Sequence, residues 1–119
     1  MLVAEQEGCR LLAEVFVARG FPVVRDIPFD ENGVSFDIDG WNAEHRVGFE
    51  YRTSEAGDKD DLSLDELALL AERMEAGELF IFVIDDTSIE AKDDLRLYAN
   101  AFLDEVERRR GGNKAGARR

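Results

Sequence analysis

The stretch that decides the fold is VSFDIDGWNAEHRVGFEYR, residues 34–52. In residues 34–39 and again in residues 47–52, apolar and polar side chains alternate, which is typical of half-buried β-strands. The two segments therefore predict a β-hairpin. If its register buries both apolar sets on one face, the charged residues of both strands project together from the other face. These charged residues are Asp37, Asp39, Glu50 and Arg52.

The residues before this hairpin predict a helix and an edge strand. Residues 2–19 carry a rough apolar stripe and stop before Gly20, a residue that commonly ends helices. The run FPVVRDIPF, residues 21–29, is β-type and contains two prolines, which suits a strand near the edge of a sheet. The stripe of the helix consists of Val3, Cys9, Leu12, Ala13, Phe16 and Val17.

The residues after the hairpin predict two helices and a strand. Ser63 can cap a helix while Glu66 reaches back to the cap, and Thr87 with Glu90 predicts a second capping box before the last helix. Residues 79–84, LFIFVI, are apolar throughout and predict a central strand covered on both faces. The last helix is expected to bury Leu95, Tyr98, Ala99, Phe102 and Val106.

The order of elements is therefore α-β-β-β-α-β-α. It predicts an α/β fold of the α+β type, with a mixed four-stranded sheet flanked by helices. A length of 119 residues suits one hydrophobic core. We assign residues 1–110 to a single domain and residues 111–119 to a flexible basic tail.

Charge and composition constrain the partners and the location of the protein. The chain has 27 acidic and 15 basic residues, and six of the basic residues follow Glu107, the last acidic one. An acidic body repels phosphate backbones, which disfavours nucleic acid as a partner and favours a basic protein. No apolar run approaches the roughly 20 residues that a membrane span needs, and no basic segment starts a secretory signal. We expect a cytoplasmic protein with no membrane partner; the oligomeric state is left open.

The charged face of the hairpin has two interpretations. Carboxylates gathered on one face suit a hard divalent cation such as Mg²⁺ or Mn²⁺, which takes oxygen ligands. Asp37, Asp39 and Glu50 are the candidate ligands, and Arg52 beside them could stabilise negative charge on a phosphate. The alternative is a solvated face on which Arg52 makes cross-strand ion pairs worth about a few tenths of a kcal/mol.

The same residues carry a resemblance to a known family. D-x-D-G-W-N, residues 37–42, followed by V-G-F-E-Y-R, residues 47–52, resembles the core of the PD-(D/E)XK, or restriction-endonuclease-like, superfamily. The predicted order of elements up to about Asp86 also matches that core. The resemblance implies that Asp39 (or Asp37) and Glu50 bind the metal ion of a nuclease. It also implies that Arg52 takes the place of a motif lysine that positions water and stabilises the transition state, and that an additional acid lies on the first helix, which carries Glu14.

Two functions remain open from the sequence. The first is a metal-dependent nuclease, or a degenerate descendant that has weak activity or none, because the arginine at position 52 does not readily release a proton. The second is a non-catalytic acidic interaction module, such as a regulatory or immunity-type protein, whose surface binds a basic partner. The hairpin motif favours the first function, and the net charge of −12 favours the second.

Overall fold

The computed structural model describes residues 3–53 and 62–111, and its elements follow the predicted order. The basic tail predicted for residues 111–119 lies outside the described residues from residue 112 onward. A short 3₁₀ helix at Asp86–Ser88 precedes the last helix, and a π-helical turn at Glu107–Gly111 follows it. The elements are α1 (Glu5–Ala18), β1 (Val24–Glu31), β2 (Val34–Asn42), β3 (Val47–Arg52), α2 (Leu64–Glu75), β4 (Phe80–Asp85) and α3 (Lys92–Val106).

The four strands form one mixed sheet in the order β1-β2-β3-β4. β1 and β2 pair antiparallel, as do β2 and β3, whereas β3 and β4 pair parallel. The mixed four-stranded sheet, the α+β class and the edge position of β1 are thus confirmed. The prediction that β4 is central is wrong, because β4 forms the other edge. Its residues are apolar throughout because both faces of the strand are covered. Phe80 packs into one core cluster and Ile81 into the other.

The apolar residues of the two hairpin strands face opposite sides of the sheet. Those of β3 pack with α1 and α3, and those of β2 pack with α2. The prediction that both sets share one face is therefore wrong. Ile38 and Trp41 are three residues apart yet pack into the same cluster, so the alternation in β2 breaks between them. The β3 set is Val47, Phe49 and Tyr51, and the β2 set is Val34, Phe36 and Ile38.

The capping box predicted at the start of α2 is confirmed. The Ser63 hydroxyl accepts a hydrogen bond from the Glu66 backbone N–H at 3.1 Å, and Oε1 of Glu66 accepts from the Ser63 N–H at 3.0 Å. Oε2 of Glu66 also accepts from the Ser35 N–H, at 3.1 Å. A local cap therefore ties α2 to β2 as well as starting the helix.

The capping box predicted for the last helix is wrong. α3 begins at Lys92, and Thr87 lies in the preceding 3₁₀ helix. The Asp94 carboxylate accepts hydrogen bonds from the backbone N–H groups of Glu90, at 2.7 Å, and Ala91, at 3.2 Å. The acid four residues further along the chain thus takes the role that the sequence pattern assigned to Glu90.

Two residues predicted for the core are exposed. Val17 on α1 is 55% exposed and Tyr98 on α3 is 41% exposed. Val15 and Leu103 are buried on the same two helices instead. The helix rotation, which depends on the partner elements, therefore differs slightly from the one that the apolar stripe indicates.

Gly8 allows α1 to lie directly on β3. A Cβ atom at Gly8 would lie 2.3 Å from Cε2 of Tyr51, so only a glycine permits this approach. The Tyr51 hydroxyl donates a 2.6 Å hydrogen bond to the carbonyl oxygen of Val3, which fixes the segment before α1 as well. This contact sets the first turns of α1 over the hairpin.

Glu31 links three parts of the fold and gives stability a pH dependence. Its carboxylate accepts hydrogen bonds from Arg46 at 2.7 and 2.9 Å and from Arg73 at 3.1 Å. These guanidinium groups, Arg46 foremost, lower the pKa of Glu31 to about 2. Because the pKa is lower in the folded state than in the unfolded state, the stabilisation is present above about pH 4.5 and is lost as the pH falls through about 2.

We expect Glu31→Gln to lower the free energy of unfolding at pH 7 by about 1 kcal/mol, because partly exposed ion pairs contribute modestly. The difference from wild type should shrink as the pH is lowered from about 4.5 towards 2. Urea unfolding at a series of pH values measures it, with the exposed Glu44→Gln as the matched control. A difference that stays constant over this range would contradict the linkage.

Candidate functional site

Asp39 and Glu50 lie together where β2 and β3 stop pairing. The paired positions between these strands end at Gly40 and Phe49. Beyond that point, side-chain carboxylates accept the hydrogen bonds that link the two strands. The Tyr51 N–H donates to Oδ2 of Asp39 at 2.8 Å, and the Asp39 N–H donates to Oε1 of Glu50 at 3.1 Å. Each carboxylate is therefore held by the backbone of the other strand.

Both carboxylates are buried, with Asp39 6% exposed and Glu50 2% exposed. Two further buried polar residues belong to this end of the sheet: Thr53, which directly follows β3, and Asp86, which directly follows β4. Acidic side chains are rarely buried unless they are paired or bind a metal ion. Among the described residues, this end of the sheet is therefore the strongest candidate for a functional site.

Arg52 lies two residues beyond Glu50, at the end of β3. The parallel register places Arg52 opposite Asp85 in β4, and Nε of Arg52 is 3.6 Å from Oδ1 of Asp85. Only 13% of the Arg52 side chain is exposed. A permanently charged guanidinium group is thus held at the same end of the sheet as the two buried carboxylates.

The first helix contributes two groups next to Asp39. Ligand-type atoms of Glu5, Cys9 and Asp39 lie within 4.8 Å of one another. Cys9 is only 1% exposed, and burial, reinforced by the negative charge of Asp39, raises the pKa of its thiol far above the usual value. The raised pKa favours the protonated thiol, which lies beside the Asp39 carboxylate. A protonated thiol can donate to a carboxylate, so we interpret Cys9 as a residue that orients Asp39.

Asp37 and Glu14 lie apart from these groups. Asp37 is exposed, and within the described parts of the chain its side chain makes no hydrogen bond or ion pair. Glu14 is also exposed and pairs with Arg10 at 2.7 Å. Glu5, which the sequence reasoning missed, is the acid of α1 that lies near Asp39. The close contact of Gly8 with Tyr51 sets this placement, and no local pattern in the sequence reveals that contact.

The donor atoms of Asp39 and Glu50 suit a hard divalent cation. Both residues offer carboxylate oxygens, which Mg²⁺ and Mn²⁺ prefer, and both are oriented by backbone hydrogen bonds. Such outer bonds commonly fix the ligands of metal sites. The donor chemistry of both residues therefore suits a cation, and Arg52 lies at the same end of the sheet.

In comparisons with known proteins, no family model, no curated protein and no solved structure matches this chain. Within the described residues, no helix is both long enough and apolar enough to cross a membrane. The PD-(D/E)XK assignment stays a prediction.

Proposed function

We propose that this chain is a nuclease-like domain of the PD-(D/E)XK type that binds Mg²⁺ or Mn²⁺ at Asp39 and Glu50 and hydrolyses phosphodiester bonds slowly. The observation that carries this proposal is the pair of buried carboxylates, each anchored by the backbone of the neighbouring strand. The order of elements and the mixed sheet support a restriction-endonuclease-like arrangement. Fold alone does not establish an activity, so the proposal depends on the site.

Asp39 and Glu50 would hold the cation with oxygens whose orientation is already fixed. Each carboxylate accepts a backbone N–H, so it loses little side-chain freedom when it binds the ion. The positive ion would also offset the cost of keeping two negative groups buried at the same end of the sheet. When bound, the cation supplies Lewis-acid stabilisation of negative charge on a phosphate.

Arg52 would stabilise the charge that develops on the phosphate oxygens. Its guanidinium group carries donors that match a phosphate, and Asp85 holds it at the end of β3. An arginine does not readily release or accept a proton, so Arg52 provides charge and orientation only. Because the arginine cannot exchange a proton as a lysine can, we expect slow hydrolysis.

Metal binding can be tested apart from activity. We expect Mn²⁺ or Mg²⁺ to stabilise the wild type by about 2.7 kcal/mol when the free ion is at 100 times its dissociation constant. The variants Asp39→Asn and Glu50→Gln should show no metal-dependent stabilisation, because each removes one anionic ligand. Thermal unfolding measured across a metal titration gives the result.

Asp37→Asn is the matched control for this titration. It removes the same charge from the same strand, two residues from Asp39, but at an exposed position. We expect its metal response to equal that of the wild type. If the metal response is the same in the wild type and all three variants, the metal does not bind at Asp39 and Glu50.

The second candidate function is a non-catalytic acidic module that binds a basic protein. The observation that favours it is the net charge of −12. In that case a polybasic peptide should bind with an affinity that falls steeply as salt is added. Binding should also be the same in Glu50→Gln, because the buried Glu50 carboxylate does not form part of the outer surface.

A further inference from the structure

A cleft opens at the opposite end of the sheet from Asp39 and Glu50. It has a volume of about 320 Å³ and lies where α1 ends and the turn after α3 begins. Val47 and Phe80 are paired at this end, whereas Arg52 and Asp85 are paired at the other. The two ends are five residue steps apart along the strand, or about 16 Å. The cleft is therefore separate from the candidate metal site.

The walls of the cleft combine apolar surface with positive charge. Phe21 and Val106 provide the apolar part, and the His45 ring meets Phe21 edge to face with the ring centres 5.3 Å apart. Arg19 and Arg110 also line the cleft. An apolar cavity with a few polar groups that converge on it is the usual form of a small-molecule site.

Arg110 is the cation of this cleft that is available to a ligand. Its guanidinium carbon lies 4.8 Å from the ring centre of Phe80, and one of its nitrogens donates to the carbonyl oxygen of His45. Within the described residues it forms no ion pair with a carboxylate. Burial, and then the nearby charge of Arg46, lowers the pKa of Arg110. A partly buried guanidinium group beside another one is stabilised by an anion.

The other charges at the cleft are already paired. Arg19 lies 2.7 Å from Asp104 and 3.1 Å from Glu107, the only acid that lines the cleft within the described residues. Arg46 pairs with Glu31 at 2.7 Å. Arg19 is thus shared by two carboxylates, whereas Arg110 has no carboxylate partner among the described residues.

We propose that this cleft binds a small organic anion, with its carboxylate or phosphate group on Arg110 and its apolar body against Phe21 and Val106. A guanidinium group offers paired donors that match either kind of oxyanion. The apolar wall of the cleft can bury the ring or short chain that forms the body of such a ligand. The site does not depend on the proposed nuclease function.

The test uses His45, the only histidine of the chain, as a reporter. We expect phenyl phosphate or benzoate to shift the NMR signals of the His45 ring in a saturable way. Whichever of the two binds more tightly identifies the head group. Inorganic phosphate, which lacks the body, should bind more weakly, and phenol, which lacks the charge, should not bind saturably. Phenol and phenyl phosphate are compared on the wild type, so this arm requires no variant to fold.

Two variants complete the test. Arg110→Gln should weaken binding of the better probe by about tenfold or more, because it removes the charge-assisted hydrogen bonds. Arg108→Gln removes the same charge two residues away, from an exposed side chain that pairs with Glu105, and should leave the affinity unchanged. Equal binding by Arg110→Gln and wild type, equal binding of phenol and phenyl phosphate, or no saturable shift with any probe would overturn the proposal.

Discussion

Replacing Glu50 with alanine is expected to lower manganese-dependent cleavage of DNA or RNA by about 100-fold or more. Glu50 is 2% exposed and accepts a hydrogen bond from the Asp39 backbone, so the substitution removes one proposed ligand and loosens the other. Single-turnover assays on single- and double-stranded DNA and RNA, each with Mn²⁺, measure the loss and identify the substrate.

The same assay needs a control for contaminating nucleases. Asp37→Ala removes an exposed acid from the same strand and should keep the wild-type rate. Cleavage that persists at the wild-type rate in Glu50→Ala would come from another enzyme and would count against this site. A loss in both variants would also count against it, because it would show that activity does not follow the buried pair.

Gly48→Ala is expected to lower the free energy of unfolding by about 3 kcal/mol, the largest stability effect that we anticipate. A Cβ atom at Gly48 would lie 2.3 Å from the carbonyl oxygen of Gly40 and 2.8 Å from the Trp41 ring. The first contact is with backbone in the paired strand, so a side-chain rotation cannot relieve it. Both strands would have to separate near the residues that hold the site.

Urea unfolding of Gly48→Ala and Gly20→Ala separates this clash from ordinary glycine effects. Gly20 has a φ of +92°, and no atom lies within 4 Å of the position that an added Cβ would take, so its substitution costs only backbone strain, about 1–2 kcal/mol. We expect the larger loss for Gly48→Ala. A loss no greater than that of Gly20→Ala would show that β2 and β3 are not packed as described.

Patterns within a few residues of one another predicted most of the fold. The alternation in residues 34–38 and 47–52 and the box of Ser63 with Glu66 depend on neighbours along the chain, and both produced the expected elements. The order of strands depends on contacts between distant segments. The apolar run of β4 could therefore indicate two covered faces but not an edge position.

Asp39 and Glu50 were expected to contact each other across the hairpin, but the contact differs from the expected one. Strand parity placed them on one face with Asp37, whereas the structure joins them through side-chain-to-backbone hydrogen bonds beyond the end of the paired hairpin. The break in alternation after Ile38 has no local signal in the sequence. The approach of Glu5 to Asp39 has none either, because it depends on how α1 packs against β3.

Anomalous diffraction from crystals soaked in Mn²⁺ tests the central claim most directly, because it locates the ion. We expect one peak that lies about 2 Å from carboxylate oxygens of both Asp39 and Glu50. No peak at these residues, or a peak bound by Glu5 and the Cys9 sulfur without Glu50, would contradict a nuclease-type metal site.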